Sequence, residues 1–362
     1  MYLYLWVIFS LNILLSAGIM LTYLSRNDHK RDSFLSQIST SPQSRVLVIV
    51  PTRGVDFELD ENLASLKNQD FSSFDLMAVL DSVEDLSVPY LKKEGIEYIE
   101  STASCTKCSG KVRAIYSAIL RYPEYDSYVV ADSDIRAERS WLANLVGPLY
   151  DPKVGVSTSF PIFYPARGFW SKLKMFWGLA GQSMMESNLT KFVWGGSMAF
   201  RKELLDEESL KSFSQSISDD IAILRIVEAK GLKISYVPES RPKIYSTDDF
   251  RTFLEWSNRQ TAFSIYSSNK TFLFGMVYYL ASIYLLLSAI VFSVLVNDLF
   301  SVFLFVYFFN SFNSQRKVPV RVWYFLSLTF ILPFVYVWNL MSGKFSKKVV
   351  WRGRVYPLSK SE

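Results

Sequence analysis

A chain of 362 residues that is half hydrophobic and 16% aromatic carries more apolar surface than one soluble core ordinarily hides. Its net charge of +5 comes from basic residues beside the apolar segments, with no basic stripe interleaved with stacking aromatics. That excludes a nucleic-acid binder and suits contact with an anionic membrane surface. The two cysteines, Cys105 and Cys108, and the single histidine, His29, are too few and too far apart for an ordinary structural zinc site.

The first element is Tyr2 to Leu24, an uncharged run long enough to span a bilayer. No small-residue cleavage site follows it. Arg26, Lys30 and Arg31 follow instead, so it reads as a retained anchor (residues 1–25). Its N-terminus is expected outside and the rest of the chain in the cytoplasm, beginning with a linker at 26–43.

From 44 to 265 strand and helix patterns alternate. Arg45 to Pro51 reads as a buried strand, Asp60 to Gln69 as a helix, and Phe74 to Leu80 as a strand ending at Asp81. Ile96 to Ile99 reads as a third strand. Cys105-Thr106-Lys107-Cys108 falls in a polar loop, as a structural or incidental pair or else a redox pair. Gly110 to Arg121 is amphipathic at helical spacing, and the strand ending at Ala131 delivers Asp132-Ser133-Asp134. Val154 to Phe160, Phe192 to Phe200 and Lys233 to Val237 are further strand candidates. The alternation predicts an α/β domain with a mostly parallel, Rossmann-like sheet.

Ligands of such sheets sit beyond the carboxyl ends of the strands. Two carboxylates in one non-helical turn there can aim at one Mg²⁺ or Mn²⁺, which completes its shell with water and substrate phosphate. Asp219 and Asp220 open a helix after Ser218, a good N-cap. Their bland role is to complement the helix dipole. Gly168 to Glu186 sets Phe169, Trp170, Leu173, Phe176 and Trp177 on one helical side beside Lys172 and Lys174. This suits a helix in the membrane interface, the alternative being a core helix.

The region 266–343 is the second membrane-like part. Phe272 to Phe309 is apolar apart from Asn297 and Asp298, and predicts a helical hairpin. Gln315, Arg316, Lys317 and Arg321 follow. Val322 to Leu340 is a third apolar segment, spanning or re-entrant; crossings at 272–296 and 322–340 are the alternative. The cations Lys344, Lys347, Lys348, Arg352 and Arg354 keep the tail, 344–362, on the cytoplasmic side. The expectation is therefore a multi-pass integral membrane protein.

Seven blocks occur in order: Val50-Pro51-Thr52-Arg53-Gly54, Glu61-Asn62-Leu63, Asp81-Ser82, Asp132-Ser133-Asp134, Trp194-Gly195-Gly196-Ser197-Met198-Ala199-Phe200-Arg201, Ser218-Asp219-Asp220 and Trp351-Arg352-Gly353-Arg354-Val355-Tyr356. As a set they resemble the family-2-type, GT-A-fold glycosyltransferases, in the branch of the ceramide glucosyltransferases. The likeness covers nearly the whole chain. It implies transfer of a sugar from a UDP-sugar to a membrane lipid hydroxyl by one inverting displacement. It implies Asp220 as general base and Asp134 as holder of the metal. Pro51, Arg53, Asp81, Lys111 and Asp132 would bind the nucleotide-sugar. Trp194, Gly195, Gly196, Asp219 and Trp256 would line the sugar and acceptor side, and Arg259, Arg352 and Arg354 would serve the diphosphate.

One block departs from that family. Its Gln/Arg-x-x-Arg-Trp run is here Thr252-Phe253-Leu254-Glu255-Trp256. A glutamate facing a diphosphate is repelled, so Glu255 is expected to turn away, to be protonated, or to pair with Arg259 or Arg251 at helical spacing. The missing cation is then expected from Arg352 and Arg354. A processive polysaccharide synthase would need more membrane crossings for its polymer channel. An inactive nucleotide-sugar- or lipid-binding protein would not need four placed aspartates.

Overall fold

The computed structural model describes residues 2–24, 45–188, 190–315 and 322–358. The expected linker at 26–43 and the cations Arg26, Lys30, Arg31, Arg316, Lys317 and Arg321 lie outside the described residues. The chain forms two compact units. One gathers Met1–Asp28, Arg167–Ser183 and Thr247–Glu362, and the other gathers His29–Ala166 and Met184–Ser246.

Helix α1 (Tyr2–Leu24) opens the first unit. The second unit then runs β1 (Val46–Thr52), α2 (Leu59–Lys67), β2 (Phe74–Leu80), α3 (Val88–Glu94), β3 (Glu97–Glu100), α4 (Gly110–Arg121), β4 (Ser127–Ala131), β5 (Ile135–Arg136), α5 (Trp141–Val146), β6 (Val154–Thr158) and β7 (Ile162–Arg167). After α6 (Phe169–Met185) it continues with β8 (Ser197–Arg201), α7 (Glu207–Phe213), α8 (Asp219–Ala229), β9 (Lys233–Tyr236) and β10 (Lys243–Thr247).

Seven strands form one sheet in the order β3-β2-β1-β4-β8-β6-β9. The pairs of β1 with β2 and β4, of β2 with β3 and of β6 with β9 are parallel; β8 runs antiparallel to both neighbours. β1 is buried on both faces, which is why it reads as an unbroken apolar run. β2 alternates between two cores. Met77 and Val79 join Leu47, Ile49, Ile115 and Val130 on one face, while Ala78 and Leu80 join Leu59, Leu63 and Leu91 on the other. From β1 the chain moves outward through β2 and β3, then returns to place β4 on the other side of β1. This reversal opens a crevice at the carboxyl ends of β1 and β4.

Two sequence expectations shift here. The strand expected over 192–200 begins only at Ser197, because the backbone before it is spent on a turn: Ser197 N donates to Trp194 O at 3.3 Å and Asp132 N to Gly196 O at 3.0 Å. A second sheet, β5-β10-β7, was not expected. Its strands are short and partly exposed and carry no clear apolar alternation. Cys105 and Cys108 are joined as a disulfide in the loop before α4.

The first unit continues with α9 (Phe250–Ser267), α10 (Asn269–Leu295), α11 (Val302–Gln315), α12 (Val322–Phe345) and a hairpin of β11 (Lys348–Trp351) and β12 (Arg354–Pro357). Among the described residues two helical stretches, Leu3–Thr22 and Asn269–Leu295, are long and apolar enough to cross a membrane. The expected hairpin turns at Asn297, whose Oδ1 accepts from Leu299 N at 2.8 Å. Its arms are unequal, α10 having 27 residues and α11 only 14. At about 1.5 Å per residue α11 is shorter than a hydrocarbon core of about 30 Å.

Helix α6 is a packed helix of this unit and does not present its aromatic side outward. Leu173, Phe176 and Trp177 are buried, and of the aromatic side only Phe169 is largely exposed. The Trp177 ring lies 4.8 Å from Trp256 and 5.5 Å from Tyr336, and its Nε1 donates to Asn339 Oδ1 at 2.9 Å. Asn339 in turn donates to Asn258 Oδ1 at 2.7 Å and Ser257 Oγ at 3.1 Å. Aromatic area and a buried amide network thus bind α6 to α9 and α12.

Candidate active site

The site grows from the end of β4. Its five residues are all buried, so Asp132 emerges where the apolar run stops. Ile135 N donates to Asp132 O at 3.3 Å and closes the turn that carries Asp132, Ser133 and Asp134. Lys111 is the second residue of α4, whose N-cap Ser109 accepts from Val112 N at 3.2 Å. That placement sends the lysine ammonium into the crevice. It lies 2.7 Å from Asp132 and 3.2 Å from Asp219, with only 9% of its side chain exposed.

One ammonium faces several carboxylates in this buried space, and the charges adjust. Burial alone would push Lys111 down, but Asp132 and Asp219 outweigh it and hold the ammonium well above its ordinary value. Asp219 is raised to about 6, chiefly by burial; Lys111 opposes the rise, and Asp220 and Asp132 add to it. The lysine therefore stays charged, and Asp219, the most buried carboxylate, is the group that resists ionisation.

A pH-dependent result follows. The folded-state value of Asp219 lies above the unfolded one of about 3.9. Its contribution to stability is complete below about pH 4 and is lost as the pH rises through about 6. Asp219→Asn cannot ionise. The melting temperature of this variant should therefore rise relative to the parent between pH 4 and pH 7. A difference that stays constant over that range would show that Asp219 titrates normally.

Two glycines make room for the cluster. A Cβ on Gly195 would lie 2.9 Å from Asp219 Cγ, and one on Gly196 would lie 2.6 Å from Asp132 Oδ2 and closer still to the Trp194 ring. Trp194 is fixed by its backbone, whose N–H donates to Thr158 Oγ1 at 3.0 Å. Its ring meets Phe160 edge-on at 6.1 Å. The structure thus brings together Lys111, Asp132, Asp219, Trp194, Gly195 and Gly196. Arg53, past β1, and Asp81, past β2, form a second pair at 3.4 Å. Pro51 lies within β1.

Asp220 is partly exposed at the start of α8, where its Oδ1 accepts from Ile221 N at 2.8 Å and from the Ser218 hydroxyl. Ser218 therefore does not cap the helix with its side chain, as its sequence position predicts. Its single proton goes to a carboxylate, the stronger acceptor.

Trp256, Arg259, Arg352 and Arg354 belong to the other unit. Glu255 pairs with Arg251 at 2.9 Å on the exposed face of α9. Of the two helical neighbours expected for it, the one at i−4 is used. Trp351 to Arg354 is the tip of the β11–β12 hairpin, with Trp351 opposite Arg354. Arg352 has φ 47° and Gly353 φ 77°, a left-handed pair as in two-residue hairpin turns. Gly353 thus answers a backbone requirement of the turn.

Sequence reasoning missed a buried ion pair, Lys174–Asp248 at 3.1 Å, with 8% and 7% of the side chains exposed. It also missed Asp56, which accepts the Ser133 hydroxyl at 2.6 Å. Neither has a local signal, since each partner comes from a distant stretch.

Carboxylate oxygens such as those of Asp132 and Asp134 are the donors that Mg²⁺ or Mn²⁺ takes. Among the described residues no group of three or more metal-ligating side chains occurs. A cation completed by water and substrate phosphate needs only one or two carboxylates, a number that the turn carrying Asp132 and Asp134 could supply.

Comparison with known proteins agrees with this architecture. The model of glycosyl transferase family 21 matches residues 9–362. A mannosyltransferase from Pyrobaculum calidifontis, solved with GDP-Man and Mn²⁺, superposes with a TM-score of 0.50 at 17% identity, over 93% of this chain and 99% of that one. It shows the same fold. Glucosyl-3-phosphoglycerate synthase from Mycobacterium tuberculosis, solved with phosphoglyceric acid, reaches a TM-score of 0.44 at 14% identity, over 66% of this chain and 85% of that one. With a family match that runs through the catalytic-type sheet and the apolar helices at both ends, this chain is a glycosyltransferase and belongs to glycosyl transferase family 21.

Proposed function

We propose that the protein transfers a hexose from a nucleotide-sugar, UDP-linked, to the hydroxyl of a membrane lipid such as ceramide or diacylglycerol, with inversion at the anomeric carbon. The observation that carries this reading is the buried Lys111–Asp132–Asp219 cluster at a strand-end crevice, in a chain with apolar helices at both ends. The structural relative that shares the fold was solved with a nucleotide-sugar and Mn²⁺, which favours the same donor class here.

Asp220 removes the proton from the lipid hydroxyl as its oxygen bonds the anomeric carbon. The bond from that carbon to the diphosphate breaks, and its electron pair leaves with the nucleotide. Asp81 and Arg53 hold the nucleoside side, with Pro51 behind them. Lys111 and Asp132 orient the diphosphate-sugar, and Trp194, Gly195, Gly196 and Asp219 shape the sugar side. Asp134 is the residue for a divalent cation, which when bound neutralises charge gathering on the leaving diphosphate. Trp256 serves the acceptor side, and Arg259, Arg352 and Arg354 serve the diphosphate. We place the chain in the membrane with several crossings and its catalytic domain on the cytoplasmic face, from the cation bias of the tail.

The test is incubation of purified protein with UDP-hexoses, total membrane lipid and Mn²⁺, with products read by mass spectrometry. A new glycolipid whose formation stops with chelator supports the reading. Transfer only to a soluble acceptor overturns it.

The hairpin tip gives a sharper check. Arg352 occupies a left-handed position at φ 47°, where asparagine is at ease and most side chains are strained by about 1 kcal/mol. Arg352→Asn should keep or improve the turn and yet lower transfer at least about tenfold, as should Arg352→Ala. Glu255→Ala, which loses only an exposed pair, should change transfer by less than about threefold. Normal turnover in Arg352→Asn would leave the hairpin as a membrane-surface element.

A further inference from the structure

The Asp132-Ser133-Asp134 turn is gripped from behind by the loop after β1 and by α2. Ser133 is 1% exposed and donates its hydroxyl to Asp56 Oδ2 at 2.6 Å, a short charge-assisted bond. Asn62, also 1% exposed, reaches the same residue from α2: its amide donates to Phe57 O at 3.0 Å and to Ser133 O at 3.4 Å. Beyond the turn the grip continues. Arg136 pairs with Glu58 at 2.7 Å and Glu61 at 2.6 Å, and Ala137 N donates to Ser65 Oγ at 3.0 Å.

Glu58 has φ 52°, a left-handed conformation that a non-glycine residue holds only where its surroundings over-determine it. It sits between Asp56 and Asn62, at the start of α2. Strain and convergent hydrogen bonds therefore act on one short stretch that faces one turn. Within the turn Ser133 is buried, while Asp132 and Asp134 on either side of it are partly exposed.

We propose that Asp56 is a positioning residue for the metal turn: by holding the Ser133 hydroxyl it fixes the direction in which Asp132 and Asp134 present their carboxylates to one divalent cation. This rests on the reading of Asp134 as the metal ligand. Asp56 touches neither substrate nor cation. It removes the freedom of the residue between the two carboxylates, so that less ordering is left for the moment of binding. Its bond asks only for an acceptor, which an amide oxygen also supplies, and this separates positioning from a direct effect of the Asp56 charge.

The experiment is Mn²⁺ binding to the full-length protein in detergent with UDP present, read from the electron paramagnetic resonance signal of free Mn²⁺. Circular dichroism checks the fold of each variant. Asp56→Ala and Ser133→Ala should each weaken Mn²⁺ about tenfold, and the double variant should bind no more weakly than either single one, because both remove the same bond. Asp56→Asn should stay within about threefold of the parent. Parent-like Mn²⁺ affinity in Asp56→Ala and Ser133→Ala overturns the proposal, and so does an Asp56→Asn as weak as Asp56→Ala. Asp134→Asn separates the two levels. If it loses Mn²⁺ binding while Asp56→Ala does not, only the positioning role fails. If it binds Mn²⁺ like the parent, the assignment of Asp134 fails and takes the positioning role with it.

Discussion

Asp220→Asn should bind the nucleotide-sugar about as well as the parent and transfer the sugar at least about a hundredfold more slowly. The substitution is nearly isosteric, and its amide oxygen can still accept from Ile221 N, which the carboxylate does at 2.8 Å. What it loses is basicity. A positioned general base contributes on the order of 10²–10⁴ in rate, and an interaction made only in the transition state lowers kcat without raising KM. Asp219 is the control, because it is more deeply buried and already engaged with Lys111 at 3.2 Å. If Asp220→Asn keeps near-normal turnover, Asp220 is only a helix-start residue. The stereochemistry is an independent arm. Proton abstraction followed by one displacement gives a product of opposite anomeric configuration to the donor, and a retained configuration in the NMR coupling of the product would sink the single-displacement step.

Gly196→Ala should cost about as much activity, by a different route. The added methyl group would lie 2.6 Å from Asp132 Oδ2 and closer to the Trp194 ring, well inside van der Waals contact. Trp194 cannot retreat freely, since its amide donates to Thr158 Oγ1 at 3.0 Å and its ring rests on Phe160. Asp132 cannot retreat without lengthening its 2.7 Å bond to Lys111. A shift of about 1 Å in a catalytic arrangement can cost on the order of a hundredfold in rate. The expected outcome is therefore a loss of about two orders of magnitude in transfer. Overpacking should lower stability by about 1–3 kcal/mol, so the variant should still fold. Normal transfer in a folded Gly196→Ala would mean that the crevice relaxes around the methyl group and that the Lys111–Asp132 geometry is not critical.

Elements whose cause is local were legible along the chain. Phe74–Leu80 and Gly110–Arg121 form over the residues their patterns indicate. A strand alternating between two cores and a helix with one apolar side each carry their own period. Tyr2–Leu24 likewise forms one helix over its long uncharged, mostly apolar run. The aspartates past β2 and β4 were legible as site candidates because the sheet topology aims strand ends at one crevice. Tertiary structure decided the pairings. Lys111 meets Asp219 across 108 residues of sequence (219 − 111). Asp56 meets Ser133 across 77, and Lys174 meets Asp248 across 74. Whether α6 faces a membrane or a protein core was also undecided locally, since aromatics with lysines suit both; the rings of Trp256 and Tyr336 around Trp177 decided it. Glu255 had two arginines at equivalent helical spacing, and the fold selected Arg251. Hydrophobic period and backbone propensity act over a few residues and are written along the chain. Charge pairing and close packing depend on which distant surfaces meet, and only the assembled sheet and helices bring them together.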